Sequence, residues 1–587
     1  MNLYQASFLP SVQQFPNNTA LYVESCNNKS NNKSNKPQTK TLTYQALFTL
    51  SQQWAKCINV FNNNQCPVAI YGGRQWQMYA GILSILASNN AYVPLNNKQP
   101  AKRNACILSE INGQVLLVAD NEDPTELMKR TKQSLIVLYL GKDTPSWLIH
   151  NKNHQCFKID DVSSIHAKAV ISSVAEGNDY SIIEELTEAE TVLPTVNAHA
   201  YILFTSGSTG KPKGIAVSHN NIISHLGRLG KLLKLKSTDK VSQFFELSFD
   251  LSVHDMFSCW HKGAALYVIP TEQLICPMPF IKQHQITVFS AVASTLSIMD
   301  KLCLLKPQQL PRLRVSCFGG EKLLTNQALK WQKCAHKSRV INLYGPTECT
   351  ITASYFELTN KQSIHSASVP IGKPLAGLSA ILVNNNKEVT TVNTLAELYL
   401  AGDQLVTGYY QDEEKTAQAF ITLTKPVVET PTRYYRTGDI VYYDEHKNIV
   451  FHGRNDHQFK VSGHRVEAAE IETAIVSFSS DITWCVVSAQ TDDCGHIKII
   501  AFVEYAFDHA LGEDSEHKKH VTIQIRSHCL QHLPAYMVPD EFVFHQFLPR
   551  NLSGKVDIKT LLNINYAAKQ TSNSPADINL STKEENL

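Results

Sequence analysis

"YILFTSGSTGKPKGIAVSH", Tyr201 to His219, decides how the rest of the chain is read. The run Ala200-Tyr201-Ile202-Leu203-Phe204 is uninterrupted apolar sequence and predicts a buried strand. From Thr205 to Lys213 the residues are almost all small, hydroxylated, glycine or lysine. Such a loop can wrap an anion, because glycines let backbone N–H groups approach closely, hydroxyls donate hydrogen bonds and Lys211 and Lys213 supply charge. A solvated Ser/Gly linker is the competing reading of the loop alone. A Walker loop does not fit: Thr205 stands five residues before Gly210 where a glycine is required, and Pro212 follows Lys211 where Ser or Thr is required. The chain also contains no G-x-S-x-G elbow and no G-x-G-x-x-G fingerprint.

The whole chain narrows the field. Its 587 residues, 43% of them hydrophobic, supply a large core and exclude a disordered chain. The net charge of +2 gives no reason to expect nucleic acid or an anionic membrane as a partner, and small-molecule chemistry becomes the default. The amino terminus has no basic start followed by an apolar run, and no stretch reaches the roughly 18 uncharged apolar residues of a membrane helix. A cytoplasmic protein is the expectation. The 14 cysteines are scattered singly without a C-x-x-C pair, which argues against a zinc site and a disulfide scaffold.

Along the chain, "CPVAIYGG" and "QVLLVAD" predict strands and "QWQMYAGILSILASN" a helix, as layered α/β architecture requires. Residues 27–40, "NNKSNNKSNKPQTK", read as a mobile polar insertion between two early strands, and residues 567–587 as a disordered tail. A Gly- and charge-rich connector around "FHGRNDHQFKVSGHRVEAAEIE" leads into a helix beginning near Glu467, which divides the chain into an N-terminal core, 1–455, and a small α+β module, 456–566.

With these motifs in hand, "LFTSGSTGKPKG" resembles the phosphate loop of the adenylate-forming superfamily, which includes acyl-CoA synthetases, luciferases and the amino-acid adenylation domains and ligases that load carrier proteins. The resemblance runs from about Thr43 to Leu562 through six motifs in the family's order. It implies a large N-terminal domain of two α/β subdomains plus a distorted β-barrel, and a small mobile C-terminal domain. It also implies ATP and Mg2+ as cofactors. For ATP it implies contacts from Thr205, Ser206, Gly207, Ser208, Thr209, Gly210 and Lys213 of the loop, and from Gly319, Gly320 and Glu321 of "FGGEKL". In "INLYGPTECT" it implies Asn342, Tyr344 and Gly345 at the nucleotide, Tyr344 stacking on adenine, with Thr347 and Glu348 meeting the α-phosphate and magnesium. Asp439 of "YRTGD" would take the ribose hydroxyls, with Phe451 under the adenosine and Arg454 beside the ribose. Lys555 of "NLSGKVD" matches the near-terminal catalytic lysine, and the hinge of the rotating C-terminal domain maps to Asp456, whose motion would bring the Gly463 segment to a pantetheine tunnel.

"SFDLSVHDMF" resembles the carrier-protein-loading branch, in which Asp250 pairs with the α-ammonium of an amino acid. An Asp just before that apolar run also reads as a helix N-cap, and both roles stay open on sequence. By the same resemblance the side-chain pocket is lined by Leu251, His254, Ser290, Ser316, Phe318, Leu343, Ile351 and Thr352. Phe318 and Leu343 leave limited room, which implies a small neutral amino acid such as proline, alanine or serine. The sequence holds no Gly-Gly-x-Ser carrier signature, so the expectation is a free-standing ligase that loads the phosphopantetheine arm of a separate carrier protein. A coenzyme-A ligase shares the first half-reaction, a luciferase-like oxygenase shares the fold, and a catalytically dead binding homologue would lack the intact Thr347, Glu348, Asp439 and Lys555.

Overall fold

The computed structural model describes residues 1–25, 38–62, 66–149, 153–159, 171–173, 198–207, 212–359, 366–424, 427–456, 458–492, 497–505, 515–550 and 556–572. Two large sheets carry the N-terminal part. One has eight strands, in the order Lys213–Ser218, His199–Thr205, Tyr92–Asn96, Val68–Gly72, Val115–Val118, Ile136–Tyr139, Gln155–Ile159 and Ile171–Ser173. Its interior pairings are parallel, and the two outermost pairs are antiparallel. The other has nine strands, with Lys240–Gln243, Val288–Ala291, Val315–Gly319 and Arg339–Tyr344 side by side and parallel at its centre.

The apolar runs became the central strands because strands covered on both faces lose the usual polar alternation. Val68–Gly72 and Val115–Val118 are buried at every residue. The helix Trp76–Ala87 has buried residues on all sides, and it contributes to one apolar cluster with residues of both large sheets. The helix His219–Leu233 starts at a capping box in which the Ser218 side chain accepts from the Asn221 backbone N–H and the Asn221 side chain answers the Ser218 backbone. Its Ile222, Leu226, Leu229 and Leu233 repeat at helical spacing and are buried.

A six-stranded antiparallel sheet follows, built on the long strand Thr432–Tyr443, which pairs with Ala396–Ala401, Phe420–Leu423 and Ile449–Arg454. After Arg454 come the hairpin Gln458–Val461/His464–Glu467, the helix Ala468–Val476, and a three-stranded sheet of Ile482–Thr491, Ile497–Tyr505 and Glu541–His545. This is the expected arrangement of two α/β layers, a third β unit and a small α+β module.

Two boundaries differ from the sequence reading. The segment read as a polar insertion lies between strands Thr19–Ser25 and Gln38–Thr43, which pair with each other, so its last three residues are strand; residues 26–37 lie outside the described residues. The final helix, Ile558–Ser572, continues past Tyr566, since Ala567, Ala568, Lys569 and Gln570 are good helix formers; residues 573–587 lie outside the described residues.

Candidate functional site

The site lies at the carboxyl ends of the parallel strands, where Val315–Gly319 and Arg339–Tyr344 deliver Gly319, Gly320, Tyr344 and Gly345 to one cavity. Open α/β sheets leave their crevices there. Gly320 has φ +84, a left-handed conformation that favours glycine, and it packs 3.5 Å from the Gly463 Cα as measured from the Cβ position it lacks. The other wall comes from the C-terminal hairpin through Gln458, Phe459, Lys460, Gly463 and Arg465.

Asp250 opens the helix Asp250–Trp260, every residue of which is buried. The N-cap position belongs to Phe249, and no side-chain capping bond forms, so the capping role is not observed. Instead Asp250 Oδ2 accepts from the Thr347 hydroxyl at 2.8 Å. Burial raises its carboxyl to about 6, with the Thr347 bond and the nearby Lys460 ammonium pulling the other way. Leu251, Leu343, Ile351 and Thr352 line the cavity with it.

The remaining four expected pocket residues do not line this cavity. His254, Ser290, Ser316 and Phe318 are buried behind it. The Phe318 ring stands edge-on to Trp331 at 5.7 Å and to Phe289 at 6.5 Å, within the second apolar cluster. The Ser316 and Ser338 hydroxyls share a hydrogen bond of 2.8 Å. Burial lowers His254 to about 4, so it is neutral at ordinary pH.

The nucleotide-side residues form a chain of contacts. Tyr344 donates its hydroxyl to Asp439, and Arg454 pairs with the other Asp439 oxygen. Arg454 also holds Asp456 through two bonds of 2.7 Å, tying the expected hinge residue to the expected ribose residue. Glu321 accepts from the backbone N–H of Ser294 at 2.8 Å and of Gly463 at 2.9 Å. Asn342 is structural in its contacts: its side chain donates to the carbonyls of Val369 and Pro370. Phe451 sits within the strand Ile449–Arg454 against the main apolar cluster and does not line the cavity.

Thr205 and Lys213 are register partners where the strands His199–Thr205 and Lys213–Ser218 pair, so the phosphate-loop candidate joins these two strands in sequence. Ser206 donates to the Arg465 carbonyl at 2.6 Å, and Gly207 is buried next to it. Ser208, Thr209, Gly210 and Lys555 lie outside the described residues.

Glu348 has no exposed surface and carries three cationic or donor groups. Arg465 Nη1 lies 3.0 and 3.2 Å from its two oxygens, the Tyr409 hydroxyl donates at 2.9 Å, and Lys213 Nζ is 3.7 Å away. Burial opposes ionisation, but Arg465 and Lys213 outweigh it and hold the carboxyl at about 2. Burial and then repulsion from Arg465 lower Lys213 to about 8. A deprotonated carboxylate fits a hard divalent cation, which would complete its shell with substrate phosphate oxygens and water. Tyr409 and Arg465 were not singled out by sequence reasoning; Arg465 sits in the quoted "SGHRVE", and Tyr409 carries no motif.

The sequence profile of the AMP-binding enzyme family matches residues 8–410. The chain belongs to that family. Tyrocidine synthase 3 of Brevibacillus parabrevis is 30% identical over 532 residues, covering 89% of this chain but 7% of that protein. Zwittermicin A synthase ZmaJ of Bacillus cereus is 28% identical, covering 89% of this chain and 90% of the relative. Among solved structures, the Vibrio cholerae adenylation domain AlmE in complex with glycyl-adenosine-5'-phosphate is 28% identical with a TM-score of 0.77, covering 96% of this chain and 98% of that one. This member of the AMP-binding family thus has an adenylation-domain fold, and it spans only 7% of the length of tyrocidine synthase 3. Among its described residues, no helix is long and apolar enough to cross a membrane.

Proposed function

We propose that this chain activates a small amino acid as its adenylate, using ATP, and transfers the aminoacyl group to the phosphopantetheine thiol of a carrier protein. The observation that carries the reading is Asp250, a buried carboxylate held by Thr347 at the end of a shallow apolar pocket and beside the Tyr344–Asp439–Arg454 wall. Among the described residues no cation forms an ion pair with this carboxylate, although Lys460 lies near it, and the α-ammonium of an amino acid would supply a bonded positive partner. Fatty and aryl acids do not.

In the first step an oxygen of the amino acid's carboxylate attacks the α-phosphorus of ATP, and the bond to pyrophosphate breaks. Both partners are anionic, so the residues' main task is neutralisation. Lys213 and the loop donors would face the phosphates, Asp250 would orient the substrate through its ammonium, and Asp439 would fix the ribose. Lys555 is assigned to the reacting oxygens by resemblance. Mg2+ at Glu348 would supply Lewis-acid stabilisation of the phosphoryl oxygens. In the second step the thiolate sulfur attacks the acyl carbonyl, the mixed anhydride opens and AMP leaves.

The side-chain pocket favours the smallest substrates. Leu251, Leu343, Ile351 and Thr352 line the cavity beside Asp250 and leave little room for a large side chain. Glycine, the amino acid in the AlmE complex, suits this wall better than proline. A pyrophosphate-exchange panel over glycine, D- and L-alanine, serine and proline, with acetate and benzoate beside them, tests the reading. Exchange strongest with glycine or alanine is expected. Exchange driven only by the acids without an amino group would overturn it.

A further inference from the structure

Between Glu348 and Ala353 the chain turns in a conformation that few side chains adopt. The short 3-10 helix Thr347–Cys349 ends at Thr350, with φ +53, and Ile351 follows with φ +70. Both residues are β-branched, and a left-handed backbone is an outlier for such residues, so the surroundings must impose it. The turn decides what the cavity meets. Thr347, before it, bonds Asp250, and Ile351 and Thr352, within and after it, line the wall. The Thr352 hydroxyl is buried and has no hydrogen-bond partner among the described residues.

Gln404 lies outside the quoted motifs, has no exposed surface and does not line the cavity, yet it is bonded along the length of this turn. Its side-chain amide donates to the carbonyls of Cys349 at 3.3 Å, Thr350 at 3.3 Å and Thr352 at 2.8 Å. Its backbone carbonyl accepts from the Thr350 hydroxyl at 2.6 Å, and Val406 donates its N–H to the Glu348 carbonyl at 3.0 Å. Arg228 Nη1 approaches the side-chain oxygen of Gln404 at 3.5 Å, and Arg228 is itself held by the Ala376 carbonyl and by Asp403, each at 2.7 Å. A flipped amide would turn an acceptor toward three carbonyls, so the orientation is fixed. On the other side the turn closes over Gly345, where a Cβ would collide with the Ile351 carbonyl.

We propose that Gln404 is a positioning residue that sets the size selectivity of the acid pocket, by holding Thr350 and Ile351 in the left-handed turn that brings Ile351 and Thr352 to the cavity wall. Without its donors the buried carbonyls lose their partners, and Ile351 relaxes toward a negative φ. The wall then shifts and larger side chains enter. The inference rests on the proposed function in taking this cavity as the pocket of the acid.

Gln404→Met keeps the length of the side chain and removes the donors, and Gln404→Glu keeps its outline and puts an acceptor in their place. Pyrophosphate exchange is measured for two series: glycine, alanine and 2-aminobutyrate, the last two as both enantiomers, and acetate, propionate and butyrate. In the parent the smallest member of the accepted series is expected to lead. In Gln404→Met the KM for that acid should rise about tenfold with the KM for ATP within about twofold, and the kcat/KM preference for the smallest over the largest member should narrow at least about fivefold. Gln404→Glu should move both readouts the same way, and serves alone if the Met variant does not fold. Hydrogen exchange over residues 349–353 of the ligand-free protein should be faster in either variant. Thr350→Gly, which suits a left-handed backbone without support, should bring the preference of the Gln404→Met protein back to within about twofold of the parent. A lower urea midpoint with unchanged acid KM and unchanged preference would make Gln404 a merely structural residue and overturn the proposal. Unchanged hydrogen exchange in the turn overturns it too, as does a lost preference that Thr350→Gly leaves in place. A preference that narrows in the acetate series, with no exchange for any amino acid, would keep the role of Gln404 and remove the amino-acid reading, and a parent that exchanges with neither series overturns both.

Discussion

Asp250 makes a pH-dependent commitment. Its carboxyl titrates at about 6, raised by burial, so above that value it is the anion that an α-ammonium needs and below it a neutral acid. The expected result is a KM for the amino acid that is flat above about pH 6 and rises roughly tenfold for each pH unit below it, measured by pyrophosphate exchange. The des-amino acid of the same size should show no such limb. Residues of this kind were legible in the sequence because each sits inside a short motif: Asp250 after Phe249, Glu348 after Thr347, Asp439 after Gly438. Arg465 was not, although it lies in a quoted stretch. Its partner Glu348 is 117 residues earlier, and only the seating of one domain on the other brings the pair together. The four pocket positions that do not line the cavity mark the same limit, since position along a strand or helix does not say which residues reach the cavity surface.

At the scale of elements, the helix His219–Leu233 links the phosphate-loop hairpin to the core, and its start is fixed by Ser218 accepting from the Asn221 N–H. Ser218→Ala should cost about 1 kcal/mol, the usual value of a lost N-cap, read as a lower urea midpoint with an unchanged slope. An unchanged midpoint would show that tertiary packing alone sets this helix end. The strands Val68–Gly72 and His199–Thr205 were readable as apolar runs, and the helix Trp76–Ala87 as a long apolar segment. The hairpin Gln458–Val461/His464–Glu467 was readable only as a connector. Only Phe459, Val461 and Val466 pack on the C-terminal apolar cluster while Gln458, Lys460 and Arg465 line the cavity, and two strands of four residues are too short for that alternation to stand out in the sequence.

For the whole molecule, residues of "FGGEKL", "INLYGPTECT", "YRTGD" and the connector line one crevice, and the C-terminal module closes it with Gly463 against Gly320 and Glu321. The order of the motifs was visible in the sequence; which face of the C-terminal module meets the site was not, because that depends on contacts such as Arg103 with Glu470, 367 residues apart. On the proposed function, this assembled crevice recognises an amino acid by its ammonium. The most direct measurement compares kcat/KM for glycine and for acetate in the parent protein and in Asp250→Ala, with ATP binding and circular dichroism as controls. Glycine-dependent exchange should fall at least about 100-fold, several kcal/mol of lost charge pairing, while acetate changes by less than about threefold. Equal losses for glycine and acetate would make Asp250 a structural residue and contradict the claim.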